Sequence, residues 1–276
     1  MLFSLYRACL KFPSFRGKSF IEGWMREKLA PQRCEVAGGI IMELDPQEWH
    51  QIDLLAKGTL EPKTINRFTD LLSQGGIYID IGAHVGYHTL VARALVGASG
   101  KVVAIDPQPY NCDKILTNCR LNDFKNVTVY VAAAADRTGT VTLKTQPSND
   151  KSRLTLCENG ARDAGEPFVV PLVRLDAVVA EFKLERIDLL KIDVEGYELA
   201  VLRGLGAAIS IVRNIIFEVL KDTPLDTASK IANHLAAAGF SLRTVDGYEW
   251  KPGQPCLENN VIASRIVRSD IPHRPL

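Results

Sequence analysis

The stretch 77–86 constrains the fold of this chain more than any other. Ile77–Ile81 is predicted to be a buried strand, because β-branched and aromatic side chains dominate it and its single polar residue comes near the end. Gly82 and Gly86 then frame a tight turn, and residues 87–96 follow with apolar side chains at helical spacing. The order of strand, glycine turn and helix is typical of an open α/β sheet, in which ligands bind at the carboxyl ends of the strands.

The glycine spacing in this turn excludes two common nucleotide-binding fingerprints. The pattern is Asp80-x-Gly82-x-x-x-Gly86, which is neither G-x-G-x-x-G nor G-x-x-x-x-G-K-[ST]. An acid followed by glycines at this spacing suits a ligand with an amino-acid end and a ribose but no phosphate. S-adenosylmethionine is such a ligand. The alternative is a plain strand, turn and helix in which a glycine is needed only for packing.

The rest of the chain alternates strands and helices. Strands are predicted at 102–106, 127–131, 140–144, 168–173, 187–193 and 214–219. Helices are predicted at 62–72, 109–121, 175–182 and 227–238. The alanine run 132–135 is expected to continue the strand before it, and 240–245 and 261–264 are expected to pair antiparallel. The polar segment 145–167 is long for a connection and is expected to be a lid or a substrate loop. Five β-α units and a final hairpin predict one doubly wound α/β domain at 58–270.

Residues 1–57 are predicted to be a helical and hairpin extension in front of that domain. The apolar run at its start is interrupted by Arg7 and Lys11 and is shorter than the ~20 residues of a spanning helix. The charges lie inside the run and no clear cleavage site follows, which does not favour a secretory signal. Its basic and apolar residues could form an amphipathic helix on a membrane surface. Packing against the domain is the simpler interpretation, so membrane association is not expected.

Charge and cysteine usage narrow the class of protein. The 276 residues carry a formal net charge of +1, which gives no general attraction to nucleic acids, and no nucleic-acid partner is expected. The six cysteines form no C-x-x-C pair, and their scatter fits neither a disulfide framework nor a zinc site. A reducing compartment, and hence a cytoplasmic location, is the simplest inference. His84, His88 and Asp193 could hold a metal ion, but this spacing also serves solvent-facing histidines and no metal is predicted.

Acidic residues end three of the predicted strands. Asp106 follows Gly86 by 20 residues, where it could accept both hydroxyls of a ribose or merely start the turn before Pro107. Asp193 and Glu218 end two later strands, and either could act as a general base toward a hydroxyl acceptor. Asp193 has the better position, although it could equally orient a ligand's ammonium group. Glu195 is expected to cap the helix that follows.

Four motifs together resemble the FkbM family of S-adenosylmethionine-dependent methyltransferases. They are Asp80-Ile81-Gly82-Ala83-His84-Val85-Gly86-Tyr87, Arg174-Leu175-Asp176, Lys191-Ile192-Asp193-Val194-Glu195-Gly196 and Leu202-Arg203-Gly204. The resemblance covers about residues 58–220 and, more weakly, the last hairpin with Glu258-Asn259-Asn260. It implies the class I methyltransferase fold, a Rossmann-like seven-stranded doubly wound sheet with a reversed terminal β-hairpin.

The resemblance also implies a cofactor site for S-adenosylmethionine. The residues implied at the methionine end are Asp80, Gly82, Ala83, His84 and Gly86. Asp106 would hold the ribose, Glu61 would approach the cofactor, and Asp193 would face the sulfonium and the acceptor. The family usually has Asn in place of His84 and Glu in place of Asp106. The shorter Asp keeps the ribose chemistry, and His84 could hydrogen-bond as Asn does.

Family membership would imply methyl transfer to an oxygen of a small-molecule or glycan acceptor, commonly a hydroxyl of a sugar or a secondary metabolite. Asp193, and after it Glu218, are the candidate bases. One alternative is an N-methyltransferase of the same fold. Another is a catalytically idle module that only binds the cofactor, against which the acids at Asp80, Asp106 and Asp193 argue.

Overall fold

The computed structural model describes residues 2–14, 16–145, 154–156 and 166–265. The N-terminal extension consists of α1 (Leu2–Lys11), α2 (Lys18–Glu27), β1 (Gln32–Val36), β2 (Ile40–Leu44) and α3 (Ile52–Lys57). The later helices are α4 (Pro62–Leu71), α5 (Tyr87–Val96), α6 (Pro109–Leu121), α7 (Leu175–Glu181), α8 (Glu198–Gly204) and α9 (Leu225–Ala237). The later strands are β3 (Ile77–Ile81), β4 (Lys101–Asp106), β5 (Val127–Val131), β6 (Ala133–Ala134), β7 (Gly139–Thr145), β8 (Leu154–Leu156), β9 (Pro167–Val173), β10 (Leu189–Ile192), β11 (Asn214–Glu218), β12 (Ser241–Thr244) and β13 (Asn260–Ser264).

Seven strands form the main sheet in the order β12-β13-β11-β10-β3-β4-β5. The five central strands are parallel, and β13 runs antiparallel to both β11 and β12. The chain winds outward from β3 toward β5 and then returns to build β10 and β11 on the other side of β3. The predicted class I methyltransferase fold with its reversed hairpin is therefore confirmed. The crevice where the strand order reverses lies between the tips of β3 and β10.

Both faces of the central strands are buried, which explains why β3 and β10 are apolar except for one charged residue each. All five residues of β3 are buried, and alternate side chains enter different cores. Ile79 and Ile81 pack with α7, α8 and α9, whereas Tyr78 packs with α4, α5 and the N-terminal hairpin. The single polar side chain of the strand, Asp80, is also fully buried at the carboxyl end. This strand therefore carries an acid to the crevice inside a shell of apolar contacts.

The N-terminal hairpin is joined to the domain by hydrogen bonds as well as by apolar packing. The amide side chain of Asn122 bonds both the N–H and the carbonyl of Ile41, at 2.8 and 2.7 Å. Asn118 accepts from the Glu43 N–H at 2.8 Å, and Lys114 pairs with the Glu43 carboxylate at 3.0 Å. Asn118 of α6 and Asn122 directly after it thus satisfy the backbone of β2, an edge strand that would otherwise present open donors and acceptors. The extension and the sheet share one apolar core.

The alanine run after β5 departs from the prediction. The strand ends at Val131, and Ala133–Ala134 instead pairs with β9 in a second, four-stranded sheet of order β6-β9-β7-β8, which was not predicted. A Cβ on Gly204 of α8 would lie 2.2 Å from the carbonyl oxygen of Ala135, so helix and strand come into backbone contact here. Such close packing bends the chain away from the main sheet. The predicted lid segment lies mostly outside the described residues.

Candidate active site

The glycine turn owes both of its glycines to packing. Gly82 has a φ of +78°, and a Cβ there would lie 1.8 Å from the backbone oxygen of Asp193. Gly86 has a φ of +91°, and its Cβ would come within 2.9 Å of Ile115 on α6. The first glycine brings the tips of β3 and β10 into contact, and the second lets α5 and α6 approach. Packing alone accounts for both glycines, and their contact with a ligand stays a prediction.

Asp106 connects the turn to the end of β4. Its carboxylate accepts from the backbone N–H groups of His84 at 2.8 Å and Gln108 at 2.9 Å, and from the Asn111 amide at 3.0 Å. The side chain is only 5% exposed, and this burial raises its pKa to about 6 despite the three hydrogen bonds. Three of roughly four acceptor positions are therefore used by the protein. About one position remains for a ligand hydroxyl.

Asp80 and Lys191 are neighbours on β3 and β10, and both are 1% exposed. Asp80 accepts a hydrogen bond from the Thr89 hydroxyl at 2.6 Å. The Lys191 ammonium donates to Asp193 at 2.6 Å. Burial opposes the charge on Lys191, but the carboxylates of Asp193, Glu61 and Asp80 outweigh it and raise the lysine pKa above its ordinary value. A permanent cation therefore lies among several acids at the strand ends, a role that sequence reasoning did not assign to Lys191.

Glu218 ends β11 and hydrogen-bonds Asp193. Burial and the negative charge of Asp193 raise the pKa of Glu218 to about 8, although Lys191 acts in the opposite direction. The glutamate therefore holds a proton at neutral pH. The Asp193 side chain is 30% exposed, so solvent reaches this pair. The structure thus brings together the two residues that the sequence nominated as bases.

Glu61 lies just before α4, with a left-handed φ of +47° that is uncommon for a residue with a side chain. Its carboxylate is 3.3 Å from the His88 ring nitrogen and accepts from the Asn260 amide at 2.9 Å. Burial opposes ionisation, but His88, Lys191 and Asn260 together lower the pKa of Glu61 to about 2. The ionised Glu61 carboxylate is therefore the partner of the His88 ring.

The terminal hairpin holds this corner in place. The two oxygens of Glu258 accept from the N–H groups of Lys63 and Thr64 at 2.9 and 2.8 Å, and the Thr64 hydroxyl adds a third bond. A carboxylate 194 residues away in sequence from Thr64 therefore caps the first turn of α4 and complements its dipole. Glu258 and Asn259 have φ values of +56° and +55°. Left-handed residues thus stand on both sides of this contact, as expected where surrounding structure imposes strain.

In the turn after β10, a buried acid of the following helix accepts a backbone hydrogen bond. The Gly196 N–H donates to the Glu198 carboxylate at 3.0 Å, and Glu198 is buried. The pKa of Glu198 is raised, chiefly by that burial. Glu195, the expected cap, is exposed, with a φ of +47°.

Two buried acceptor atoms lie beside these acids. Among the described residues, none donates to the Oδ1 atoms of Asn111, beside Asp106, and Asn260, beside Glu61. A buried acceptor left unsatisfied costs about 1–3 kcal/mol, so donors from a bound ligand would be stabilising. The acids around Lys191 add a preference for positive charge. This part of the protein therefore suits a cationic ligand that carries hydroxyl and ammonium donors.

Comparison with known proteins assigns the chain to a family. Residues 80–242, more than half of the chain, match the model of the methyltransferase FkbM domain. The chain is 31% identical over 204 residues to methyltransferase sdnD of Sordaria araneosa, a match that covers 64% of this chain and 77% of that protein. A shorter match of 49 residues, 59% identical, is to the AMB antimetabolite synthetase AmbE of Pseudomonas aeruginosa, and it covers 17% of this chain and 2% of that protein.

Solved structures of similar topology exist at low sequence identity. Methyltransferase FkbM from Methylobacillus flagellatus superposes with a TM-score of 0.47 at 12% identity, over 95% of this chain and 58% of that one. A likeness at this score adds nothing to the sequence match, which carries the assignment by itself. The chain belongs to the FkbM family of methyltransferases.

Proposed function

We propose that this protein transfers the methyl group of S-adenosylmethionine to a hydroxyl oxygen of a small-molecule or glycan acceptor, such as a sugar or a secondary metabolite. The observation that carries the proposal is the hydrogen-bonded pair of Asp193 and Glu218 at the tips of neighbouring strands, beside the buried Lys191. A hydroxyl acceptor must lose a proton as the new bond forms, and this pair can take it up.

The residues suited to hold the cofactor line both sides of the glycine turn. Asp106 and the free acceptor of Asn111 would receive the ribose hydroxyls, and the ionised Glu61 would face the ammonium group of the methionine part. Asp80 lies one layer below, where its charge favours a cation without contact. When bound, S-adenosylmethionine supplies an already activated methyl group, so the protein has only to position the acceptor and manage its proton.

Asp193 and Glu218 would have different roles because their surroundings differ. Lys191 occupies one oxygen of Asp193 and orients the side chain. Glu218 has the raised pKa of a base matched to neutral pH, but it holds its proton because burial and the charge of Asp193 outweigh the effect of Lys191. A positively charged ligand would favour release of that proton and leave Glu218 ready to accept another from the acceptor hydroxyl. Glu218 is therefore our first candidate for the base, and Asp193 positions it.

A transfer assay with isotopically labelled S-adenosylmethionine on metabolite extracts tests the proposal, with the methylated atom identified by NMR. We expect Asp193→Asn and Glu218→Gln to reduce transfer at least about 100-fold, the scale of general-base catalysis. Glu249→Gln, a 77% exposed acid on the terminal hairpin, is the matched control and should retain activity.

Three results would contradict this function in different ways. A methyl group found on nitrogen would replace the oxygen acceptor by an amine. Cofactor binding without transfer to any extract would indicate the idle module. Absence of cofactor binding in a calorimeter would exclude the whole proposal.

A further inference from the structure

The outer face of α2 is apolar. Phe20 is 78% exposed, Trp24 is 48% exposed, and Ile21 between them is 41% exposed. These residues share one side of the helix, since Trp24 follows Phe20 by four positions and Ile21 by three. Met25 faces inward and is 6% exposed. A surface helix normally turns its apolar stripe toward the core, and here a second apolar stripe faces outward.

The helix pair is nevertheless firmly attached to the domain. Met25 and Leu29 pack on Tyr6, which is 1% exposed. Phe3 and Leu10 of α1 pack in turn against the core shared with the sheet. The expectation that α1 packs on the domain therefore holds for its inner side. Missing core contacts therefore do not explain why the aromatic residues on the outer face of α2 are exposed. Their exposure requires another explanation.

The same helix pair concentrates positive charge. Residues 2–28 contain six lysines and arginines against two glutamates, a formal charge of +4, whereas the whole chain carries +1. Lys11, Arg16 and Lys28 are exposed, and the Lys28 ammonium lies 4.5 Å from the centre of the Trp24 ring. Exposed aromatic residues are thus interleaved with exposed cations. That combination is typical of helices that lie in the interface of an anionic bilayer.

We propose that the α1–α2 pair docks this protein on the surface of an anionic lipid membrane. Phe20, Ile21 and Trp24 would enter the interfacial layer, and the surrounding lysines and arginines would contact lipid phosphates. Among the described helices none is long and apolar enough to cross a bilayer, and ten residues in each of the two span only about 15 Å, so the pair lies on the surface. A second copy of the chain is a poorer partner, because a symmetric contact would bring the same cations together.

This surface revises the expectation drawn from the sequence, which was against membrane association. It is independent of the methyl acceptor and of the catalytic cluster, so either proposal can fail alone. Its consequence is spatial: the enzyme would work beside a membrane and reach acceptors that are held there.

Sedimentation with vesicles tests the docking directly. We expect the protein to bind vesicles of phosphatidylcholine with phosphatidylserine, and to bind pure phosphatidylcholine vesicles at least about tenfold more weakly. We also expect added salt to release the protein from the anionic vesicles, because salt screens the attraction between surface charges and lipid phosphates. Equal binding to both vesicle types would exclude the electrostatic part of the proposal. Absence of binding to either would exclude the proposal entirely.

Matched variants identify the face. We expect Phe20→Ser with Trp24→Ser to reduce the partition coefficient at least about tenfold, since two apolar side chains no longer enter the interface. Tyr248→Ser, which removes a 72% exposed aromatic residue from the terminal hairpin, should leave binding unchanged. Near-ultraviolet dichroism from the buried Trp250 confirms that both variants are folded. Unchanged vesicle binding by the double variant would overturn the assignment to α2.

Fluorescence separates the membrane from other coverings of this face. In a Trp49→Phe background, Trp24 and the buried Trp250 are the remaining tryptophans, and we expect an aqueous quencher to reach Trp24 until vesicles are added. Shielding from the quencher without vesicles would mean that protein already covers the face. A dimer in sedimentation velocity that the double variant converts to a monomer would likewise replace the membrane by a second copy.

Discussion

At the residue scale, the site is defined by carboxyl groups whose surroundings drive their protonation apart. Glu61 is ionised because His88, Lys191 and Asn260 surround it, whereas Glu218 keeps its proton because it faces Asp193 in a partly buried place. At neutral pH, one glutamate of this cluster is therefore ionised and the other is neutral. Environments that separate the pKa values of neighbouring acids are characteristic of sites that move protons.

The raised pKa of Glu218 predicts that this residue weakens the fold in alkaline solution. Its carboxyl binds a proton more tightly in the folded protein than in the unfolded chain, so ionising it costs stability as pH rises from 4.5 to about 8. We expect Glu218→Gln to be more stable than the natural protein at pH 8.5 by about 1–3 kcal/mol, a value discounted for partial exposure. The difference should shrink toward pH 5 in denaturant titrations. A variant that is less stable at pH 8.5 would show that the glutamate is not strained by its neighbours.

Asp106 provides a second test at this scale, because its carboxylate holds the turn and has about one acceptor position left for ribose. We expect Asp106→Ala to weaken binding of S-adenosylmethionine by about 1–3 kcal/mol, the scale of hydrogen bonds to a charged group. Release of the His84 amide should also speed its hydrogen exchange. Asp123→Asn, with an 84% exposed side chain, is the control for calorimetry and exchange. Faster exchange with unchanged affinity would leave Asp106 a structural role only.

At the element scale, the terminal hairpin acts on the opposite end of the sequence. Glu258 caps α4, and Asn260 contacts both Glu61 and Thr64, so the segment before β13 determines where α4 begins. Strained backbone on both sides of the contact, at about 1–3 kcal/mol for each residue, persists only because these bonds oppose it.

The cap predicts a measurable contribution to stability. We expect Glu258→Ala to lower the free energy of unfolding by about 1–2 kcal/mol, because the N–H groups of Lys63 and Thr64 lose a charged acceptor at a helix start. Chemical denaturation measures this change, and Glu249→Ala, an exposed acid on the same hairpin, should have little effect. A loss no larger than that of the control would mean that water replaces the cap at no cost.

At the scale of the whole molecule, one reversal of the strand order brings the residues of the site together. The chain builds β3 to β5 outward and returns on the far side of β3, which sets Asp193 against Gly82 although the two are more than a hundred residues apart. The charge of the chain is uneven at the same scale. Residues 2–28 carry a formal charge of +4, whereas the whole chain carries +1. The remaining 249 residues are therefore net negative, in keeping with a site for a cationic ligand.

Sequence by itself was sufficient for elements whose signals are local. The strand Ile77–Ile81 and the helices Tyr87–Val96 and Pro109–Leu121 have the predicted bounds, because apolar periodicity and glycine or proline at the ends act within a few residues. The doubly wound sheet followed from the alternation of elements, and its reversed terminal hairpin from the family motifs. Asp193 and Glu218, which end neighbouring parallel strands, are in contact because the carboxyl ends of parallel strands share one edge.

Only the tertiary structure decided which of those acids are charged, which are buried and which are held by partners. Lys191 reads as one polar residue in a strand until β3, the end of β10 and the residue before α4 bring three carboxylates around it. The alanine run reads as a continuation of β5, but Ala133–Ala134 pairs with β9 in the second sheet. Long-range packing settles burial and electrostatics, and neither is encoded at a fixed spacing along the chain.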